Sequence, residues 1–116
     1  MEKIIGKVIH GEGKTRKIGY PTANIKLSKK IDPGVYAGKV KYCRKKYLGA
    51  VFISKDKEML FVHMLDFEGD LYGKEIEIEI GKRIRNGRKF VSEDDAKEQI
   101  GKDVEAIRKI ARNKTI

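Results

Sequence analysis

The run Glu75-Ile76-Glu77-Ile78-Glu79-Ile80 alternates acidic and branched apolar residues without a break. Only a strand with one buried and one wet face satisfies that period, so its isoleucines face a core and its glutamates face water or a neighbouring strand's lysines. Other segments have the same grain. Ile4 to Ile9, Val35 to Tyr42 and Tyr47 to Ile53 are short β-branched and aromatic stretches parted by Gly, Pro or charged turns, and they read as strands. Met59 to Leu65 is apolar at nearly every position, the pattern of a central strand covered on both faces. Pro33-Gly34 and Glu68-Gly69-Asp70 supply turn chemistry, and Arg44-Lys45-Lys46 is expected to turn the hairpin between the second and third of those stretches.

Near the end of the chain the period changes. Ala96, Ile100, Val104, Ile107 and Ala111 recur every three to four residues, which places them on one face of a helix. Ser92 is a natural N-cap; Glu93, Asp94 and Asp95 fill the first turn and Arg108, Lys109 and Arg112 the last, each sign where the helix dipole favours it. Antiparallel strands followed by one helix predict a mainly β fold, a closed or nearly closed barrel with the helix against one side or end. A length of 116 residues suits one core, so a single domain over 1–116 is expected.

Lys and Arg number 27 against 17 Asp and Glu, a formal charge of +10. Such a field draws nucleic acid, anionic membrane or a polyphosphate ligand, and a lysine-rich solubility surface has the same count. No stretch approaches 18 consecutive apolar residues, and Met1-Glu2-Lys3-Ile4-Ile5 lacks the apolar run of a signal peptide. A soluble, cytoplasmic protein with no membrane partner is therefore expected. Cys43 is the single cysteine, which excludes an intrachain disulfide and a cysteine-based zinc site; it reads as a passive strand-end residue.

The segment from His10 to Asn24 is too polar to be core and dense in glycine, lysine and arginine. Gly11, Gly13 and Gly19 let backbone N–H groups turn inward around an anion, and Lys14, Arg16 and Lys17 add charge, which suits nucleotide phosphates. It is not a Walker loop, because Gly13-Lys14-Thr15 lacks the earlier glycine at the required spacing. A basic hairpin loop with no ligand has the same composition. Its continuation, Gly19-Tyr20-Pro21-Thr22-Ala23-Asn24-Ile25, resembles the Pro-Thr-Ala-Asn signature of riboflavin kinases. The resemblance continues in order through Pro33 to Ala37, His63 to Gly73, Arg85, Lys89-Phe90, Gln99-Ile100 and Asp103.

That resemblance implies a six-stranded antiparallel barrel with one C-terminal α-helix, like the kinase module of bifunctional FAD synthetases standing without its adenylyltransferase half. The implied reaction moves the γ-phosphate of ATP to the ribityl hydroxyl of riboflavin, so the partners would be riboflavin/FMN and ATP/ADP, with the protein a monomer. By position, Gly11, Gly13, Lys14, Arg16, Lys17, Gly19 and Pro21 would cover the nucleotide, and Thr22 and Asn24 would hold its terminal phosphate and Mg²⁺. Neutral oxygens suit that hard cation, though Thr22 and Asn24 would look the same as turn caps after Pro21. Arg85 and Phe90 would line the flavin side, a planar cation and a ring against the isoalloxazine; a strand-end charge and a helix-staple aromatic are the alternative.

His63, a lone histidine on an apolar strand, reads as a hydrogen-bonded structural residue. Two residues before it, where the family carries its glutamate base, this chain has Phe61, and the Ser54-to-Phe61 connection is shorter than the family's. The catalytic base is therefore left unassigned. Two readings stand: a riboflavin kinase divergent at its base, or a non-catalytic flavin- or nucleotide-binding module on the same barrel. A nucleic-acid-binding barrel rests only on charge and on Tyr42 and Tyr47 as surface aromatics, and ranks last.

Overall fold

The computed structural model describes residues 2–10 and 16–113. Strands β1 (Glu2–Lys7), β2 (Ala23–Lys26), β3 (Gly34–Tyr42), β4 (Lys45–Ile53), β5 (Met59–Met64) and β6 (Glu75–Arg85) precede one helix, α1 (Glu93–Arg112). All pairings are antiparallel, in the order β1-β6-β3-β4-β5-β2. The two edges meet where the Ile9 N–H donates to the Asn24 carbonyl at 2.8 Å, so the sheet is a nearly closed barrel.

Alternation fills that barrel. Ile4, Ile25, Val40, Val51, Leu60, Val62, Ile76 and Ile78 point inward and are almost wholly shielded from water. On the outer face Glu79 lies between Lys3 of β1 and Lys39 of β3, while Glu77 pairs with Lys41 and Glu75 with Lys7. The glutamates thus alternate with lysines across three strands, which removes the like-charge repulsion that a bare acidic stripe would suffer. Six strands make a narrow barrel, and its curvature requires backbones to pass closely. Gly38 sits opposite Gly49; a Cβ on Gly38 would lie 2.8 Å from Val51 Cγ2 and 2.9 Å from the Glu79 carbonyl oxygen.

The helix starts at Ser92, whose Oγ accepts the Asp95 N–H at 3.1 Å. It lies on the outer face of β3 and β4, where Ala37 and Ala50, paired across the strands, leave room for Ile107 and Leu65. Phe52 and Val104 close over this second apolar cluster. Arg85, at the end of β6, donates twice to Asp103 of α1, both bonds at 2.7 Å. Arg108 makes a second bidentate tie from the helix to Asp66, at 2.9 and 3.0 Å.

Several local expectations are corrected. The β3–β4 hairpin turns on Cys43 and Arg44, with φ of 49° and 65°, while Lys45 and Lys46 already belong to β4. A two-residue loop matches the strands' twist only with both central residues left-handed, and pairing of Tyr42 with Lys45 leaves just those two to turn. Cys43 is therefore an exposed turn residue. On β5, Phe61 and His63 are half-buried between the buried Leu60, Val62 and Met64, so the outer face is covered only in part. Tyr42 and Tyr47 both pack edge-on against Phe67, at 6.1 and 5.3 Å between ring centroids, and cover the core instead of forming a free stacking surface.

Candidate functional site

β2 is held as a strand by β5, with Ala23 opposite Val62 and Asn24 opposite Phe61. Ala23 and Ile25 point inward, which leaves Thr22 and Asn24 on the other side of the chain. There the Thr22 hydroxyl donates to Asn24 Oδ1 at 3.2 Å, and Asn24 is only 6% exposed. Both side chains line a recess of about 470 Å³ at the barrel mouth, together with Arg16, Met64, Asp70 and Tyr72. Two neutral oxygens fixed side by side are hard donors of the kind Mg²⁺ takes. Among the described residues no cluster of three or more His, Cys, Asp or Glu side chains could hold a metal ion. A cation beside Thr22 and Asn24 would therefore draw its charge balance from phosphate oxygens, and the donor set fits an ion arriving with a polyphosphate.

Arg16 and Lys17 stand exposed in a short 3₁₀ turn, Arg16–Ile18, that leads into this strand. Gly19 closes the turn with φ +95° and its N–H on the Arg16 carbonyl at 3.1 Å. Nothing lies within 4 Å of where its Cβ would be, so the position requires glycine for its backbone angle and not for space. Gly11, Gly13 and Lys14 lie outside the described residues. Across the recess His10 and Tyr72 stack at 3.6 Å with planes 14° apart, and the Asp70 carboxylate accepts the Tyr72 N–H at 2.9 Å. Sequence reasoning stopped at the Glu68-Gly69-Asp70 turn and missed this aromatic wall. The signal available was Tyr72, an aromatic residue two positions after that turn.

A second recess, about 620 Å³, opens around Pro21 and holds Gly19, His63, Asp66 and Glu68. His63 Nδ1 is 2.8 Å from the Pro21 carbonyl oxygen, and the Tyr20 ring meets its imidazole at a right angle, 5.3 Å away. The Arg108 guanidinium holds the Asp66 carboxyl below its ordinary value. Phe61 shares the outer face with its register partners Asn24 and Phe52, so the strand position nearest Asn24 carries a hydrocarbon. Arg85 and Phe90 border neither recess. Arg85 is engaged by Asp103 and by the Asn86 carbonyl, while Phe90 is 37% exposed beneath the Arg88 guanidinium, 4.9 Å from its centroid.

The riboflavin kinase (flavokinase) family model matches residues 2–111. A bifunctional riboflavin kinase/FMN adenylyltransferase of Buchnera aphidicola from Schizaphis graminum is 44% identical over 91% of this chain and 38% of its own length. The Haemophilus influenzae protein of the same description is 42% identical over 91% of this chain and 37% of its own. The chain thus spans less than two fifths of these curated relatives. The crystal structure of riboflavin kinase from Trypanosoma brucei superposes with a TM-score of 0.71 at 26% identity, covering 95% of this chain and 76% of that one. With the family model matched from the first strand to the last turns of the helix, and the Pro-Thr-Ala-Asn segment set at the mouth of a six-stranded barrel, this chain belongs to the riboflavin kinase family.

Proposed function

We propose that the barrel transfers the γ-phosphate of ATP to the ribityl hydroxyl of riboflavin, giving FMN. The observation that carries this reading is the pair of oxygens on Thr22 and Asn24, held together at the mouth of a recess that Arg16 also reaches. Arg16 and Lys17, exposed on the turn before β2, supply charge to the phosphates, and the resemblance adds Gly11, Gly13, Lys14 and Gly19 to that role. Thr22 and Asn24 would hold Mg²⁺, which neutralises phosphate charge when bound. Transfer through a loose transition state depends chiefly on in-line placement and charge neutralisation, so this chain's residues contribute mainly by fixing the nucleotide. Arg85 and Phe90 are assigned to the flavin side by the family resemblance alone, since they border neither recess; Arg85 ties β6 to α1 through Asp103, and Phe90 offers a partly exposed ring. The names of the relatives support riboflavin as the acceptor.

The test combines titration calorimetry with Mg²⁺ and ADP and chromatography for FMN after incubation with riboflavin, ATP and Mg²⁺. Thr22→Ala with Asn24→Ala weakens nucleotide binding tenfold or more, about 1.4 kcal/mol, while the protein stays folded. Unchanged affinity in that double variant removes the site assignment. A second reading, a flavin- or nucleotide-binding module without turnover, is favoured by the hydrocarbon at Phe61. Its outcome is binding of both ligands with no FMN formed.

A further inference from the structure

We infer that the ion pair of Asp66 and Arg108 is a brace through which α1 sets the wall of the Thr22 and Asn24 recess, so that both are positioning residues for the nucleotide; this rests on the kinase reading above. Arg108 donates from both terminal nitrogens to both carboxylate oxygens of Asp66, across 42 residues of sequence. The Asp66 side chain is 74% exposed and that of Arg108 36%, and a pair so open to water adds little to stability. Yet the backbone of Asp66 is left-handed, with φ 60°. A residue other than glycine keeps that conformation where its surroundings over-determine it, and such residues gather where ligands are handled. The pair's use therefore lies in aiming the chain more than in holding the fold.

What the chain builds immediately after Asp66 is the recess wall. Phe67, Glu68, Asp70, Leu71 and Tyr72 all line the recess of Thr22 and Asn24, while Asp66 itself borders the second one. The far end of this segment is fixed, since Asp70 accepts the Tyr72 N–H and the Gly73 N–H donates to the Val8 carbonyl at 2.9 Å. At the near end Phe67 meets Tyr42 and Tyr47 edge-on, and Asp66 is held by the helix. Between them Glu68 borders both recesses and has no hydrogen-bond or ion-pair partner among the described residues, so only the backbone aims it. Passing from the left-handed to the right-handed well turns φ by roughly 120°. Release of Asp66 into the commoner conformation would therefore redirect Phe67 and Glu68 relative to Thr22 and Asn24.

A rival account of the same pair is charge alone: Arg108 neutralises a carboxylate beside a site that must admit phosphate oxygens, and an unpaired Asp66 would repel them. The two accounts part when both side chains are removed together. Neutralisation then has nothing left to correct, whereas the wall has still lost its brace. A shifted wall weakens contacts made to the nucleotide before and during transfer alike, which raises KM for ATP and leaves kcat nearly as it was.

The test is titration calorimetry with Mg²⁺ and ADP, FMN formation with ATP varied, and thermal unfolding, on the parent, Arg108→Ala and Asp66→Ala with Arg108→Ala. Lys102→Ala, which removes one charge from an exposed site on the same helix, controls for net charge. Both brace variants should bind ADP roughly tenfold more weakly with a matching rise in KM for ATP, kcat within about twofold and Tm within about 4 °C of the parent, and Lys102→Ala should match the parent. Parental affinity in Arg108→Ala overturns the inference and leaves the kinase reading standing. Affinity restored in the double variant also overturns it, in favour of neutralisation, and so does an equal loss in Lys102→Ala. A parent that binds no ADP with Mg²⁺ removes the nucleotide site and this role with it. Should Arg108→Ala lose its fold, Arg108→Lys is read by the same criteria, since it keeps the stem and the charge and gives up the side-by-side bonds to both carboxylate oxygens.

Discussion

Replacing Asp103 with alanine removes the partner of a guanidinium that the fold has already taken largely out of water. Asp103 is 3% exposed and Arg85 18%, and their two bonds of 2.7 Å are joined by one from Gln99 at 3.1 Å. Breaking a buried pair from one side costs about 3–5 kcal/mol, because the remaining charge stays desolvated. Water can reach part of Arg85, which brings the expected loss to about 2–4 kcal/mol. For a chain of this size about 4 °C of Tm follows each kcal/mol, so Asp103→Ala should melt roughly 8–16 °C below the parent. Thermal and urea unfolding followed by circular dichroism measure both quantities. Arg85→Met with Asp103→Leu should recover most of the loss, since Ile107, Ala37 and Ala50 still join helix to barrel and an apolar pair replaces an ionic one at little cost. A loss below about 1 kcal/mol in Asp103→Ala refutes the reasoning, as that is the worth of a solvated surface bridge.

Phe61→Glu puts a carboxylate opposite Asn24 and gives up part of an aromatic ring's burial. It should stay folded with about 1–2 kcal/mol less stability and, measured by chromatography, raise FMN formation where riboflavin binds; an active parent silenced by the change would show that β5 is misaligned with the family's strand. Asp95 is lowered to about 2 by the Arg88 guanidinium and then by the Val91 N–H. Because its folded value lies below its ordinary 3.8, its stabilisation is complete above that value and lost as pH falls towards about 2. Asp95→Asn should flatten the acid side of a Tm-against-pH curve, and an unchanged slope would exclude this contribution. Arg44→Gly relieves a left-handed non-glycine residue at φ 65° and should gain about 0.5 kcal/mol after glycine's extra chain entropy, a Tm rise of ~2 °C. A lower Tm would mean that the arginine side chain stabilises the turn.

Much of the barrel was legible because its signals are local. The Glu75–Ile80 alternation, the Ser92 cap and the three-to-four spacing of Ala96, Ile100 and Ile107 each state a period that one short segment can obey alone. β2 was not legible as a strand: Ala23–Lys26 is four residues long behind a proline, and only pairing with β5 makes it extended. Asp103 gave no sign of burial, since a charge beside Val104 reads as solvent-facing until Arg85, 18 residues earlier, arrives on the same side. The Pro-Thr-Ala-Asn motif marked Thr22 and Asn24, yet the hydrocarbon opposite Asn24 follows from register, and the contact of His63 with the Pro21 carbonyl from the meeting of two distant segments.

By itself the sequence determined the strand and helix periods, the turn and cap chemistry, the net charge and the residues of the family motif, because each depends on neighbours a few positions apart. The tertiary structure alone decided which acids found arginines, which aromatic rings became core cover and which became the wall of a recess, and where the imidazole of His63 points. Those outcomes depend on the meeting of distant segments, whose free energies of contact and desolvation exist only once the barrel has closed.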